Sequence, residues 1–337
     1  MLLTNRIASL ELLRFLASIS VVIFHYKNVL VGTDYKLVAE LPFNNLLNLL
    51  HTYGYYGVHI FFSISGFIFA YTYLDKDTSA KTFFVNRFAR LYPLHFLTLI
   101  IIVFLEFLDP IFFTEYNQKN GIFNDLYHFF LQIFFISHWG FENGHSFNTP
   151  IWSVSVEIIM YIMFFLLIKS LKLIINFSLI LLFLLLYKFS PIEIRYSEFA
   201  ILFFSGVLIY QIIKFNRMKT QLLISLFILI LSLLGNFKIL IFAPSLVMFI
   251  VLIEKYVKKQ IRPIFVNLGS ITYSTYLIHY PILLVILVTG EQYPVMNQIY
   301  FNDLFFIFFL TFLVLTSLLI FNCFERPLNK LLRKKLY

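Results

Sequence analysis

Arg14 and His25 stand eleven residues apart in LLRFLASISVVIFHY, inside an otherwise apolar run. A fixed guanidinium and a titratable imidazole are costly in hydrocarbon, which makes such residues candidates for function. Eleven residues are about three helical turns, so the two side chains share one face, and Glu11 and Ser18 join that stripe. With about 1.5 Å of rise per residue they are roughly 16 Å apart along the axis, too far to grip one atom. The spacing suits a long thin ligand with a charged end near Arg14 and a reactive end near His25. The alternative is an arginine that snorkels to the headgroups and a histidine bonded to a neighbouring helix.

Four further stretches carry chemistry. In YGYYGVHIFFSISGFIFAYTY, the small residues Gly54, Gly57, Ser63, Ser65 and Gly66 are better explained by close helix packing than by a ligand. His59 is the odd member and is a candidate to face the same cavity as His25. In KTFFVNRFARLYPLHFL, Arg87 and Arg90 lie one turn apart, with Pro93 expected near the start of a span. Paired guanidinium groups match phosphate oxygens, although plain positive-inside anchoring also explains them. NTPIWSVSVEIIMY opens a helix, with Thr149 as N-cap and Pro150 at the first position. Ser153 and Glu157 follow four residues apart on one face. Glu157 is expected either to work with an imidazole or to pair with an arginine. In GSITYSTYLIHYPIL, Thr272, Tyr276 and His279 share a face, and Pro281 cannot bond back to the Leu277 carbonyl, so a local kink is expected. Taken alone, His279 reads best as a satisfied interhelical histidine.

His25, His59, His279 and Glu157 fall on different helices without metal-ligand spacing, so no metal is expected. Hydrolase elbows, P-loops and GxGxxG turns are missing, which leaves hydrolase and nucleotide-binding readings without local support. The lone Cys323 permits no intrachain disulfide.

The elements that must position these residues are membrane helices. The chain has 337 residues, of which 60% are hydrophobic and only 13% charged, about half the charge of a soluble domain. Continuous apolar runs without β-barrel alternation point to an all-α, polytopic protein. Spans are expected near 8–30, 54–74, 93–108, 150–168, 173–187, 199–213, 221–235, 239–253, 269–288 and 303–324. The distribution of Lys and Arg decides the ambiguous run 126–140: if it does not cross, most cations fall on one side, and if it crosses they scatter. Ten spans with both termini cytoplasmic are therefore expected, with 126–148 re-entrant or interfacial at the outer face and Trp139 at headgroup depth. The formal charge of +9 then reports orientation and adhesion to membrane lipid, not nucleic-acid binding. The first span, with Arg14 inside it, reads as a permanent helix and not a signal peptide. A single integral domain, 1–337, is expected, with no soluble appendage and with the basic tail as a cytoplasmic stop.

Taken together and in this order, these stretches resemble the membrane acyltransferase 3 family. The matching pieces are Arg14-x10-His25, GVHIFFSISGF, FFVNRFARLYPLH, PIWSVSVEIIMY, SITYSTYLIHYPI and the terminal FERPL. The resemblance implies a multi-pass enzyme of the inner (plasma) membrane. Such an enzyme takes an acyl group, expected to be acetyl, from cytoplasmic acetyl-CoA or another acyl-CoA. It places the group on a hydroxyl of a cell-surface polysaccharide or its lipid-linked precursor. Glycan carriers and polysaccharide assembly proteins are the partners implied. Carried over residue by residue, it makes His25 the catalytic imidazole, Arg14 its companion and Glu157 a further catalytic or supporting residue. It places Arg87 and Arg90 on the CoA side and leaves Glu11, Ser65, Trp152, Ser153, Tyr276 and His279 as substrate-binding or supporting residues. His59 departs from the family, where an acidic residue often follows Gly-Val.

Transfer from a thioester to a hydroxyl needs a base of pKa near 7, which imidazole supplies. His25 can deprotonate the acceptor, or attack the thioester to form an acyl-imidazole. The competing class is a transporter or flippase of lipid-linked glycan, in which buried Arg and His line a path without covalent chemistry. A structural assembly subunit is a third, weaker reading.

Overall fold

The computed structural model describes residues 6–32, 35–189, 194–214, 218–234 and 239–336. Its helices, in chain order, are α1 (Ala8–Val31), α2 (Asn44–Tyr53), α3 (Gly57–Phe69), α4 (Ala80–Leu108), α5 (Pro110–Asn120), α6 (Leu126–Ile133), α7 (Ile151–Leu167) and α8 (Leu173–Phe189). They continue as α9 (Ile194–Ile213), α10 (Met218–Leu234), α11 (Ile239–Ile253), α12 (Arg262–Ser270), α13 (Thr272–Gln292), α14 (Val295–Tyr300), α15 (Asp303–Ile320) and α16 (Arg326–Leu336). Among the described residues there is no strand beyond an isolated bridge between Ile122 and His145. Among the described residues all ten apolar runs are helical, and 7 helices are long and apolar enough to cross a membrane. The chain is a polytopic, all-α membrane protein, as bilayer chemistry requires of contiguous apolar sequence. The end of the seventh run, at residue 235, lies outside the described residues.

Two boundaries differ from expectation. Pro93 lies inside α4 and not at the start of a helix, because α4 begins at Ala80 and carries Arg87 and Arg90 as well. The ninth run breaks at Ile271: α12 ends at Ser270, and α13 runs from Thr272 to Gln292. The run 126–140 contains only the 8-residue α6, about 12 Å long, against about 30 Å of hydrocarbon, so it does not cross as a helix. Asp125 caps α6 by accepting from the His128 amide at 2.8 Å.

The chain folds as two compact units. The first comprises Met1–Ala17, Tyr56–Ser79 and Val156–Ser270, and the second Ser18–Tyr55, Ala80–Ser155 and Ile271–Tyr337. In the first, Leu10, Leu13, Ile64, Phe67, Ile209 and Val247 form a core cluster. Here α3 and α9 pack backbone to backbone. A methyl group on Gly66 would overlap the Phe203 carbonyl, and one on Gly206 would overlap the Ser63 carbonyl. Gly66 of the second run therefore serves close helix approach, the usual source of affinity between helices in lipid. In the second unit, Leu99, Ile102, Phe113, Phe147, Tyr280 and Leu284 form the cluster, supplied by α4, α5, α13 and the segment before α7.

Candidate active site

In the second unit, α1 presents His25 and α13 presents His279. His25 Nδ1 lies 2.7 Å from His279 Nε2, and the two ring planes differ by 5°. The 5.0 Å between ring centroids is what remains when two imidazoles meet edge to edge through collinear nitrogens, the best alignment for an N–H···N bond. His279 is fully buried and His25 is partly exposed. One nitrogen of the contact must donate and the other accept, so the bond couples the two tautomers. When His25 Nδ1 donates, its Nε2 lone pair is available as a base and His279 carries its own proton on Nδ1. With the opposite polarity His25 Nε2 is protonated, and the base is lost.

The wall around this pair is built by the segment that enters α7. Asn148 donates to Thr98 Oγ1 at 3.0 Å and to the Leu277 carbonyl at 3.1 Å. Leu277 is four residues before Pro281, so its carbonyl lacks the usual helical donor, and Asn148 supplies one. Thr149 donates to Tyr280 Oη at 3.0 Å. Ser153 Oγ meets Tyr276 Oη at 2.7 Å, and Tyr276 Oη also donates to the Pro150 carbonyl at 3.1 Å. The Tyr276 ring lies 5.9 Å from His279, and the Tyr280 ring is edge-on to His25 at 6.5 Å. Ser153, Tyr276, His279 and His25 thus belong to one neighbourhood.

The loop SHWGFENGHSF brings two imidazoles that the spacing of motifs did not single out. His138 and His145 stack at 5.0 Å, and the Trp152 indole lies 6.0 Å from His138. Trp139 Nε1 donates to the Ser155 carbonyl at 3.0 Å, which ties the loop to the first turns of α7. The density of His, Trp, Asn and Glu in a short loop before a span was the available signal.

The first unit holds Glu11, Arg14, His59, Ser65 and Glu157. Arg14 Nη1 pairs with Glu11 Oε2 at 3.1 Å, and Arg6 Nε lies 3.8 Å from the same carboxylate. Arg6 Nη1 also donates to Ser270 Oγ at 2.7 Å, and Gly269 packs directly on Glu11. Ser65 Oγ donates to Glu157, so the carboxylate meets a serine and not the expected imidazole or arginine. His59 Nε2 lies 3.3 Å from Glu198 Oε1, an acidic neighbour on α9. Arg87 and Arg90, in the second unit, lie half-buried one turn apart on α4.

A family model described as "Acyltransferase domain" (Acyl_transf_3) matches residues 7–323. Among curated proteins, "Acyltransferase MdmB" of Streptomyces mycarofaciens is 31% identical over 163 residues, covering 47% of this chain and 38% of that protein. The chain thus matches well under half the length of this relative. No solved structure matches. The family match includes both units and every residue of the imidazole pair, and the chain belongs to the Acyl_transf_3 acyltransferase family.

Proposed function

We propose that this protein is a multi-pass membrane acyltransferase that moves an acyl group, acetyl by the family resemblance, from acyl-CoA to a hydroxyl of a cell-surface glycan or its lipid-linked precursor. The observation that carries the chemistry is the 2.7 Å bond between His25 and His279. It is the base-and-orienter arrangement that activates a hydroxyl in acyl transfer generally. With His25 Nδ1 donating to His279, His25 Nε2 takes the proton of the acceptor hydroxyl as its oxygen attacks the thioester carbonyl. The carbon–sulfur bond then breaks, and the leaving thiolate takes the proton back from His25 Nε2. The products are an ester and a free CoA thiol.

The paired Arg87 and Arg90 are assigned to the phosphate-bearing donor, and Arg14, held by Glu11, to the companion role that the family resemblance gives it. Glu157 and Ser65 are assigned to support of the first unit, and Trp152, Ser153 and Tyr276 to the acceptor side. The topology in this reading has ten spans, both termini in the cytoplasm and one integral domain in the inner membrane. Membranes containing the wild type, supplied with radiolabelled acetyl-CoA, are expected to label glycan, and membranes with His25→Ala are not. Equal labelling in both, or none in the wild type, removes the proposal. Glycan movement without acetyl-CoA consumption would identify a flippase.

A further inference from the structure

A cavity of about 410 Å³ opens in the first unit where α3, α7, α8 and α9 meet their loops. Leu74, Ile168, Leu171 and Leu173 form its apolar lining, and Lys169, Lys172 and Lys214 its cationic rim. The wall is firmly built. Gln211 Nε2 donates to the Leu171 carbonyl at 2.8 Å, and Gln211 Oε1 accepts from the buried Asn176 amide at 3.0 Å. That amide network pins the 168–172 turn against α9.

The charges are not balanced. Asp75 is the acidic residue of the lining, and its carboxylate is already engaged by Lys214 and by Tyr210 Oη. Among the described residues, Lys169 and Lys172 pair with no carboxylate. Behind them α8, 17 residues long, begins at Leu173, and its first bond runs from the Asn176 amide to the Lys172 carbonyl. The earlier amides of that turn have no helical acceptor, and the positive end of the helix dipole falls on the same rim.

We propose that this cavity binds a phosphate ester at the membrane surface. Two unpaired ammonium groups and a helix N-terminus suit a multi-oxygen anion. The volume exceeds that of an inorganic ion, and the leucine and isoleucine lining accommodates the carbon portion of the ligand. The ester is presented either by the nucleotide end of a CoA thioester or by an anionic phospholipid headgroup. The CoA source rests on the function proposed above, whereas the lipid source is independent of it.

Equilibrium binding separates these sources and needs no turnover. Purified full-length protein is titrated with CoA in detergent, and in parallel native mass spectrometry counts phosphatidylglycerol retained from nanodiscs of stated composition. The variant Lys169→Gln/Lys172→Gln removes the unpaired charges, and Lys258→Gln, an exposed lysine of the same unit outside the cavity, is the control. The double variant is expected to weaken one of the two ligands about tenfold to thirtyfold, since each lysine near a phosphate contributes on the order of a kilocalorie. Loss of CoA affinity alone assigns the nucleotide source, and loss of phosphatidylglycerol alone assigns the headgroup. If the double variant holds both ligands as well as Lys258→Gln does, or the wild type holds neither, the proposal is overturned. The acyltransferase reading stands or falls separately, on His25→Ala labelling.

Discussion

Asn148 Nδ2 lies 3.1 Å from the Leu277 carbonyl, the group that Pro281 cannot serve from the next turn of α13. The amide orientation is unambiguous. Thr98 Oγ1 donates to the His95 carbonyl at 3.0 Å and so accepts from Asn148, and Leu277 offers only an acceptor. Asn148→Ala leaves a buried carbonyl without a donor and is expected to cost about 1–3 kcal/mol of stability. Asn148→Asp sets a carboxylate against that carbonyl and should cost more. Thermal unfolding of the purified protein in detergent checks the order; Asp as stable as wild type would contradict the assignment.

His279 is a positioning residue for His25. His25→Ala is expected to lower the rate about 10²–10⁴-fold, the usual contribution of a general base. His279→Ala should lower kcat with little change in the KM for acetyl-CoA, and should alter the shape of the pH–rate profile. His279→Gln should recover part of the rate, because its amide oxygen can accept from His25 Nδ1. A structural role alone would lower the melting temperature and leave the pH profile of the remaining activity unchanged.

The α3–α9 contact has no room for a side chain at Gly66 or Gly206. Because the obstruction is backbone carbonyl and not a flexible chain end, Gly66→Ala must push the helices apart. A cost of about 1–3 kcal/mol or more is expected from overpacking. The denaturation midpoint in detergent measures it, and an unchanged midpoint would contradict the packing described.

Asp75 supplies a pH-dependent tie between the end of α3 and the end of α9. The Lys214 ammonium, and then the Tyr210 hydroxyl, hold its carboxyl below the usual carboxylate range. A depressed folded pKa means the contribution is complete above the ordinary carboxylate pKa and is lost as pH falls through the depressed value. Wild type is expected to melt above Asp75→Asn at neutral pH, with the difference closing below about pH 4. A difference that persists or widens in acid would show that the tie does not depend on the carboxylate charge.

The helices were legible because a bilayer helix is specified by local, contiguous hydrophobicity, and the described parts of the apolar runs answer to helices with shifts only at their ends. That Arg14 and His25 lie in one helix, and that Arg87 and Arg90 lie one turn apart in another, was equally legible, since both follow from sequence local to one helix. The partner of His25 was not. His279 lies 254 residues away in the chain, and on its own helix it shows only a histidine beside a proline. Glu198 beside His59 was hidden for the same reason. Ser153 and Glu157, one turn apart, looked like a single polar face, yet Ser153 bonds Tyr276 in the second unit and Glu157 accepts from Ser65 in the first. Period and hydropathy act along one helix and are written in consecutive residues. Which two polar groups meet in hydrocarbon depends on which helices pack, and only the tertiary structure decides that.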